Sequence, residues 1–396
     1  MNYSINRITL LLIILVFLPA VVPIGTNGVN LIEIIAFVCM PFSILYFLIY
    51  KRTINKNFFI VFLFLLSISF SYFHGAIFLD RGFIEPLTMY IGILKILSFY
   101  FLGYLVSKEN TLEIIQNNSK YFFWILVFFG IIQIYTMLGK EIINIFYHSD
   151  YWNPLLSFSA STSFYHPVNF IYGLILFGLV SFNNNNFLKI DNKTLMMIIA
   201  ILFFATTASV LTVMGGFLLF VFLYYRSNMK YFIMLILVSI LVWIFFNIDL
   251  SYELVELRKF VTGVISGEYS LSDFLLFNYA LSVRFEHTLL DGWNVFTSNF
   301  ILGIGPGGSM DSFYIDLLAS YGLIGFCLFF YILIHIIRRE NSNNKVIVFI
   351  ILLFILFSSF QKPFIAGKAA EIFWLLLGIL DKTYKWRIHN VQLYKS

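Results

Sequence analysis

Apolar residues in this chain fall in long, almost unbroken runs. They form neither the one-face stripe of a surface helix nor the alternation of a half-buried strand. The runs recur at about 17 to 25 residues, the length of helix that crosses a hydrocarbon layer. They predict helical spans at roughly 8–24, 30–50, 57–73, 87–106, 121–138, 166–182, 194–208, 209–225, 231–248, 312–337, 345–360 and 371–384. Short Asn/Lys-rich links such as "NNNNFLKIDNK" and "RRENSNNK" read as solvated connectors. Two polar stretches are longer: 139–165, with "YHSDYWNPLLSFSASTSF", and 249–311, some sixty residues. The pattern predicts an all-α polytopic integral membrane protein. It has a single membrane domain over 1–396, about 12 transmembrane helices and one large loop at 249–311.

Composition agrees. Charged residues make up 11% and hydrophobic residues 60%, with a mean hydropathy of +0.90, whereas soluble domains carry about 25% charge. Cys39 and Cys327 lie far apart inside apolar runs and offer neither a disulfide framework nor metal spacing. The net charge of +5 bears on topology and is not a nucleic-acid footprint. Only Arg7 precedes the first run, and "PAVVPIGTN" lacks a clear cleavage site, so that run reads as an uncleaved span. The region 194–225 is either one long tilted helix or two meeting at "TTASV". With two, both termini share the side that holds 17 of the 25 Lys and Arg residues. The positive-inside rule then makes that side cytoplasmic and puts 249–311 on the outer face. With one, "HIIRRENSNNK" would lie outside, against the rule.

Gly303, Gly305 and Gly308 spell the dinucleotide fingerprint G-x-G-x-x-G. A membrane span follows them instead of a βαβ unit, so a nucleotide is excluded and a flexible turn near the membrane surface is expected. Candidate chemistry gathers on the outer face. If 277–297 is helical, Arg284, His287 and Asp291 share about a third of its circumference, with Asn294 beside them. Leu281, Phe285, Leu289 and Phe296 face the other way; a polar side that simply meets water fits equally. Asp311, at the mouth of the span near Ser312, has two readings, a general base or a helix N-cap. Asp316 follows about one and a half turns on.

Arg258 in "SYELVELRKF" sits among charges that suggest a solvated face. Arg81 in "FLDRGFIEP" is placed for a loop ion pair with Asp80 or Glu85. Lys95 falls mid-span, where it would bind a lipid phosphate or pair with a carboxylate, while Glu33 near a span end can reach the interface. His166 and Asn169 open the span in "SFYHPVNFIYGLIL". No histidine spacing makes a metal site, so neither metal nor cofactor is expected.

The order of these pieces resembles the C-terminal signature of the O-antigen polymerase and ligase superfamily. Its elements are Arg284 in "LSVRFEHTLLDGW", then "GIGPGG", Asp311-Ser312, and the Y-G-x-x-G of "LLASYGLIGF". "LFFATTASVLTVMGGFLLF" is similar to the family's helix pair, with Val210 where an Arg is usual. Family ligases carry His-Asn where this chain has Asp311-Ser312, which favours a polymerase. The resemblance implies an enzyme of the bacterial inner membrane that joins undecaprenyl-diphosphate-linked oligosaccharides on its outer face, with a chain-length regulator as partner. For that reaction the candidate catalytic residues are Arg284, His287 and Asp311, and the candidate substrate contacts are Asp291, Arg258, Arg81, Lys95, His166 and Asn169. The alternatives are an O-antigen ligase and, from another class, a flippase for lipid-linked oligosaccharides.

Overall fold

A computed structural model describes residues 7–17, 31–49, 56–108, 110–136, 167–181, 196–197, 200–201, 266, 290–307, 312–340, 345–358, 362, 364–365 and 367–393. The elements among them are all helices. They are α1 (Arg7–Phe17), α2 (Leu31–Ile49), α3 (Lys56–Phe78), α4 (Ile84–Val106), α5 (Thr111–Thr136), α6 (Pro167–Val180), α7 (Gly292–Ser298), α8 (Phe313–Glu340), α9 (Lys345–Phe357) and α10 (Gly367–Leu393). Three stretches, Lys56–Phe78, Pro86–Val106 and Phe313–Arg339, are long and apolar enough to cross a membrane. Helices suit that setting because they satisfy their own backbone groups where no water can.

Every helix but α7 falls on an expected span. The spans at 209–225 and 231–248, most of 194–208, and the 139–165 stretch lie outside the described residues. Two helices outrun their apolar cores. α5 starts at Thr111, whose hydroxyl accepts from the Lys108 backbone N–H at 2.7 Å, and α10 runs on to Leu393. Hydropathy finds only the length that lies in lipid, whereas a capped helix continues through polar flanks.

α10 is the axis of the bundle. From Lys368 to Asp381 every residue is buried, as expected of a helix apolar all round. Trp374 is fully enclosed, and its indole N–H donates to the Phe364 carbonyl at 2.8 Å. α10 crosses α4 where Gly378 faces the Tyr100 carbonyl and Gly103 faces the Leu375 carbonyl, leaving no room for a Cβ on either glycine. Small residues at a crossing let membrane helices gain dispersion contact that lipid would otherwise supply.

At one end of the bundle Asp381 accepts hydrogen bonds from Arg339, from the Tyr100 hydroxyl and, at 2.7 Å, from Asn57 Nδ2. This buried group ties α3, α4, α8 and α10 together. Arg81 and residues 299–307 lie towards the other end.

Candidate functional site

The glycine stretch is a docked element and not a flexible run-up. α8 is broken at Gly322, which takes φ 64° and ψ −168° inside an otherwise helical segment. Residues 299–307 fill the break. Ile304 N–H donates to Ala319 O and Gly305 N–H to Ser320 O, both at 2.9 Å, on one side of it. On the other side Leu323 N–H donates to Phe300 O at 2.9 Å and Ile324 N–H to Ile301 O at 3.4 Å. Backbone groups freed at membrane depth must find protein partners, because lipid offers none. Gly303 and Gly305 have φ of 70° and 80°, a region L-residues avoid, and both press on neighbouring backbone.

The helix leading into this loop is short. In α7 Phe296 is buried while Asp291, Trp293 and Asn294 are exposed. Asp291 occupies the N-cap position without a capping hydrogen bond from its side chain. Trp293, Phe296 and Phe300 form a row of ring contacts at 5.4 and 5.0 Å.

Arg81 holds the loop from the α3–α4 turn. Its Nη1 donates to the Ile304 carbonyl at 3.1 Å and lies 3.5 Å from that of Gly305. The turn is fixed by the Tyr72 hydroxyl, which donates to Phe83 O at 3.1 Å, and by Tyr72 stacking on Tyr90 at 4.6 Å. No salt bridge joins Arg81 to Asp80, so the loop ion pair expected with that residue is replaced by carbonyl contacts. His74 lies 2.9 Å from the Gly303 carbonyl through Nδ1. A carbonyl only accepts, so this contact places a proton on Nδ1 and leaves Nε2 as the second functional atom. Sequence reasoning missed His74, since a histidine inside an apolar run shows no pattern.

In the first turn of α8 Asp316 is buried and pairs with Lys362 at 3.0 Å. Ser320 Oγ lies 3.4 Å from the Asp316 carboxylate. Arg81 thus touches the loop directly, and the ammonium–carboxylate pair reaches Ser320, whose carbonyl accepts from Gly305 N–H.

Lys95 resolves towards the second of its two readings. Its Nζ lies 3.2 Å from Glu33 and 3.3 Å from Glu371. Two carboxylates occupy it, and Glu33 is buried instead of reaching the interface. Lys368, just ahead of the span expected at 371–384, is also buried, with Nζ 3.4 Å from the Val16 carbonyl. Phe364, three residues ahead of α10, is fully buried as well.

Arg284, His287, Asp311, Arg258 and His166 lie outside the described residues, as does the expected helix before Leu290. Asn169 sits in the first turn of α6, with its side chain outside the described set. Among the described residues no group of His, Cys, Asp and Glu could hold a metal ion. No family model matches the chain, and no curated protein matches it.

Proposed function

We propose that the chain is a membrane polysaccharide polymerase. It joins undecaprenyl-diphosphate-linked repeat units on the outer face of a bacterial inner membrane by glycosyl transfer. One observation carries this reading. The Y-G of the superfamily-like segment, Tyr321-Gly322, falls on the break in α8, and the glycine loop of the same signature closes it. Irregular backbone at membrane depth is tolerated where it is buried in protein or lines a cavity. Ser312, at the start of α8, follows this closed break in the same signature.

In this reading an acceptor hydroxyl attacks the anomeric carbon, the bond from that carbon to the diphosphate oxygen breaks, and lipid diphosphate leaves. Arg284 donates to the departing phosphate oxygens with its planar fork. The hydroxyl proton passes to Asp311 or His287. Arg81 orders the loop through its carbonyls. Asp291, Arg258, His166 and Asn169 are proposed sugar or phosphate contacts, and Lys95 is withdrawn from that list by its two carboxylates.

Helix directions support about 12 spans with both termini cytoplasmic. α3 and α8 run antiparallel, with Phe64 against Phe329 and Lys56 over Tyr331. α4 and α10 run parallel, with Lys95 at Glu371 and Lys382 over Tyr104. Two helices across 194–225 give these directions, whereas one would reverse both.

A flippase remains the second reading, because broken helices and charges within the bundle also belong to transporters. Deleting the gene and resolving surface polysaccharide on gels separates the possibilities. Core capped by single repeat units supports the polymerase. Bare core with accumulated lipid-linked polymer points to a ligase, and units trapped on the inner leaflet point to a flippase. Normal ladders overturn the proposal.

A further inference from the structure

A charge cluster at the midpoint of α4 plays no part in the polymerase reading. Lys95 lies about 16 Å from each end of that helix at 1.5 Å per residue. Around it stand Glu33 of α2 and Glu371 and Lys368 of α10, and Lys368 also touches α1 through Val16 O. Well-packed apolar residues generally hold a bundle as well as buried ion pairs do. Ionisable groups kept at membrane depth therefore point to a task.

The geometry points to Glu371 as a membrane-embedded proton-exchange site, with Glu33 and Lys95 as its partners. Glu371 is 1% exposed, and its Oε1 faces Lys95. Its Oε2 has no hydrogen-bond partner among the described residues. A buried carboxylate oxygen without a donor is costly, and a proton removes the charge that makes it so. The groups acting electrostatically on Glu371 are Glu33 from α2, Lys95 from α4 and Lys368 from its own helix.

One ammonium between two carboxylates can also change its allegiance. When Glu371 takes a proton from hydronium, water is released and the Lys95 pair with Glu33 remains. The tie between α4 and α10 is then loosened while that between α4 and α2 is kept.

The proposed route to the cluster runs along one face of α4. The Lys95 side chain keeps 22% exposure. A Cβ added at Gly92 would meet nothing within 4 Å, and Thr88 is exposed one turn further towards the start of α4. Positions 88, 92 and 95 share one helix face.

The test uses the full chain in native membranes and dicyclohexylcarbodiimide, an apolar reagent that adds to protonated carboxyl groups. Mass spectrometry of the peptides should find the adduct on Glu371. Its formation should rise about tenfold per pH unit of acidification until the group is fully protonated. Glu371→Gln should abolish the adduct, and Glu33→Gln should retain it. In a chain carrying Cys39→Ser and Cys327→Ser, Thr88→Cys and Gly92→Cys should react with a cationic, water-soluble thiosulfonate added outside. No adduct at any pH, a pH-independent adduct, or one on Glu33 instead overturns the proposal; failure of both cysteines to react overturns the route. None of these readouts depends on polymer ladders, so this inference and the polymerase reading can fail separately.

Discussion

Gly303→Ala distinguishes a docked glycine loop from a linker. Gly303 has φ 70°, where an L-residue costs about 1–2 kcal/mol. The added Cβ would stand 2.5 Å from the Ser320 carbonyl carbon and oxygen and 2.6 Å from the Tyr321 nitrogen. All three atoms are backbone at the break in α8, so no rotamer change relieves the clash and the loop must move. Moving it gives up the bonds from Ile304 to Ala319 and from Gly305 to Ser320, each worth about 1 kcal/mol net. Together these come to about 3–4 kcal/mol.

In a detergent-solubilised chain that loss should lower Tm by about 5–10 °C, and the variant should produce no polymer ladder. Gly307→Ala is the contrast. Its Cβ would meet only the end of the Arg81 side chain, at 3.2 Å, which can swing aside, so its effect should be smaller despite a φ of 129°. A linker would absorb either change within about 0.5 kcal/mol. Gly303→Ala with unchanged Tm and normal ladders would refute the docked-loop argument.

Asp381→Asn removes the carboxylate that pairs with Arg339, whose side chain is 5% exposed. It should cost about 3–5 kcal/mol in thermal unfolding, and adding Arg339→Met should recover part of that while Asn57 and Tyr100 keep an acceptor. Lys95→Met leaves Glu33 and Glu371 without their shared cation, so Tm should fall by a comparable step and recover in part when Glu371→Gln is added. Arg81→Gln removes the guanidinium from the Ile304 and Gly305 carbonyls; limited proteolysis should show faster cutting within 299–307. Arg284→Lys keeps the charge and loses the fork, and polymerisation should drop sharply; wild-type ladders would remove Arg284 from the diphosphate.

Much of the helical layout was legible, because the free energy of placing a side chain in lipid depends on local composition alone. α2, α3, α4 and α8 therefore fall where the apolar runs put them. What each charge meets was not legible. Lys95 stood out as a mid-span lysine, but its partners are distant in the chain and only packing of α2, α4 and α10 brings them together. Lys368 lies ahead of the apolar run at 371–384, and its burial beside Val16 has no signature in hydropathy. Lys368 and Glu371, three residues apart at the start of an apolar run, were the one available hint.

The glycine stretch shows the same division. Its composition and its place before a span excluded a nucleotide and announced an unusual backbone, since positive φ is a local property of glycine. That it closes a break in α8, held by Arg81 and His74, depends on where hydrogen-bond partners lie across the fold. Local chemistry determined which segments enter the membrane. Only the tertiary structure decided which buried polar groups satisfy one another there, because in lipid each must find its partner within the protein, wherever in the chain that partner is.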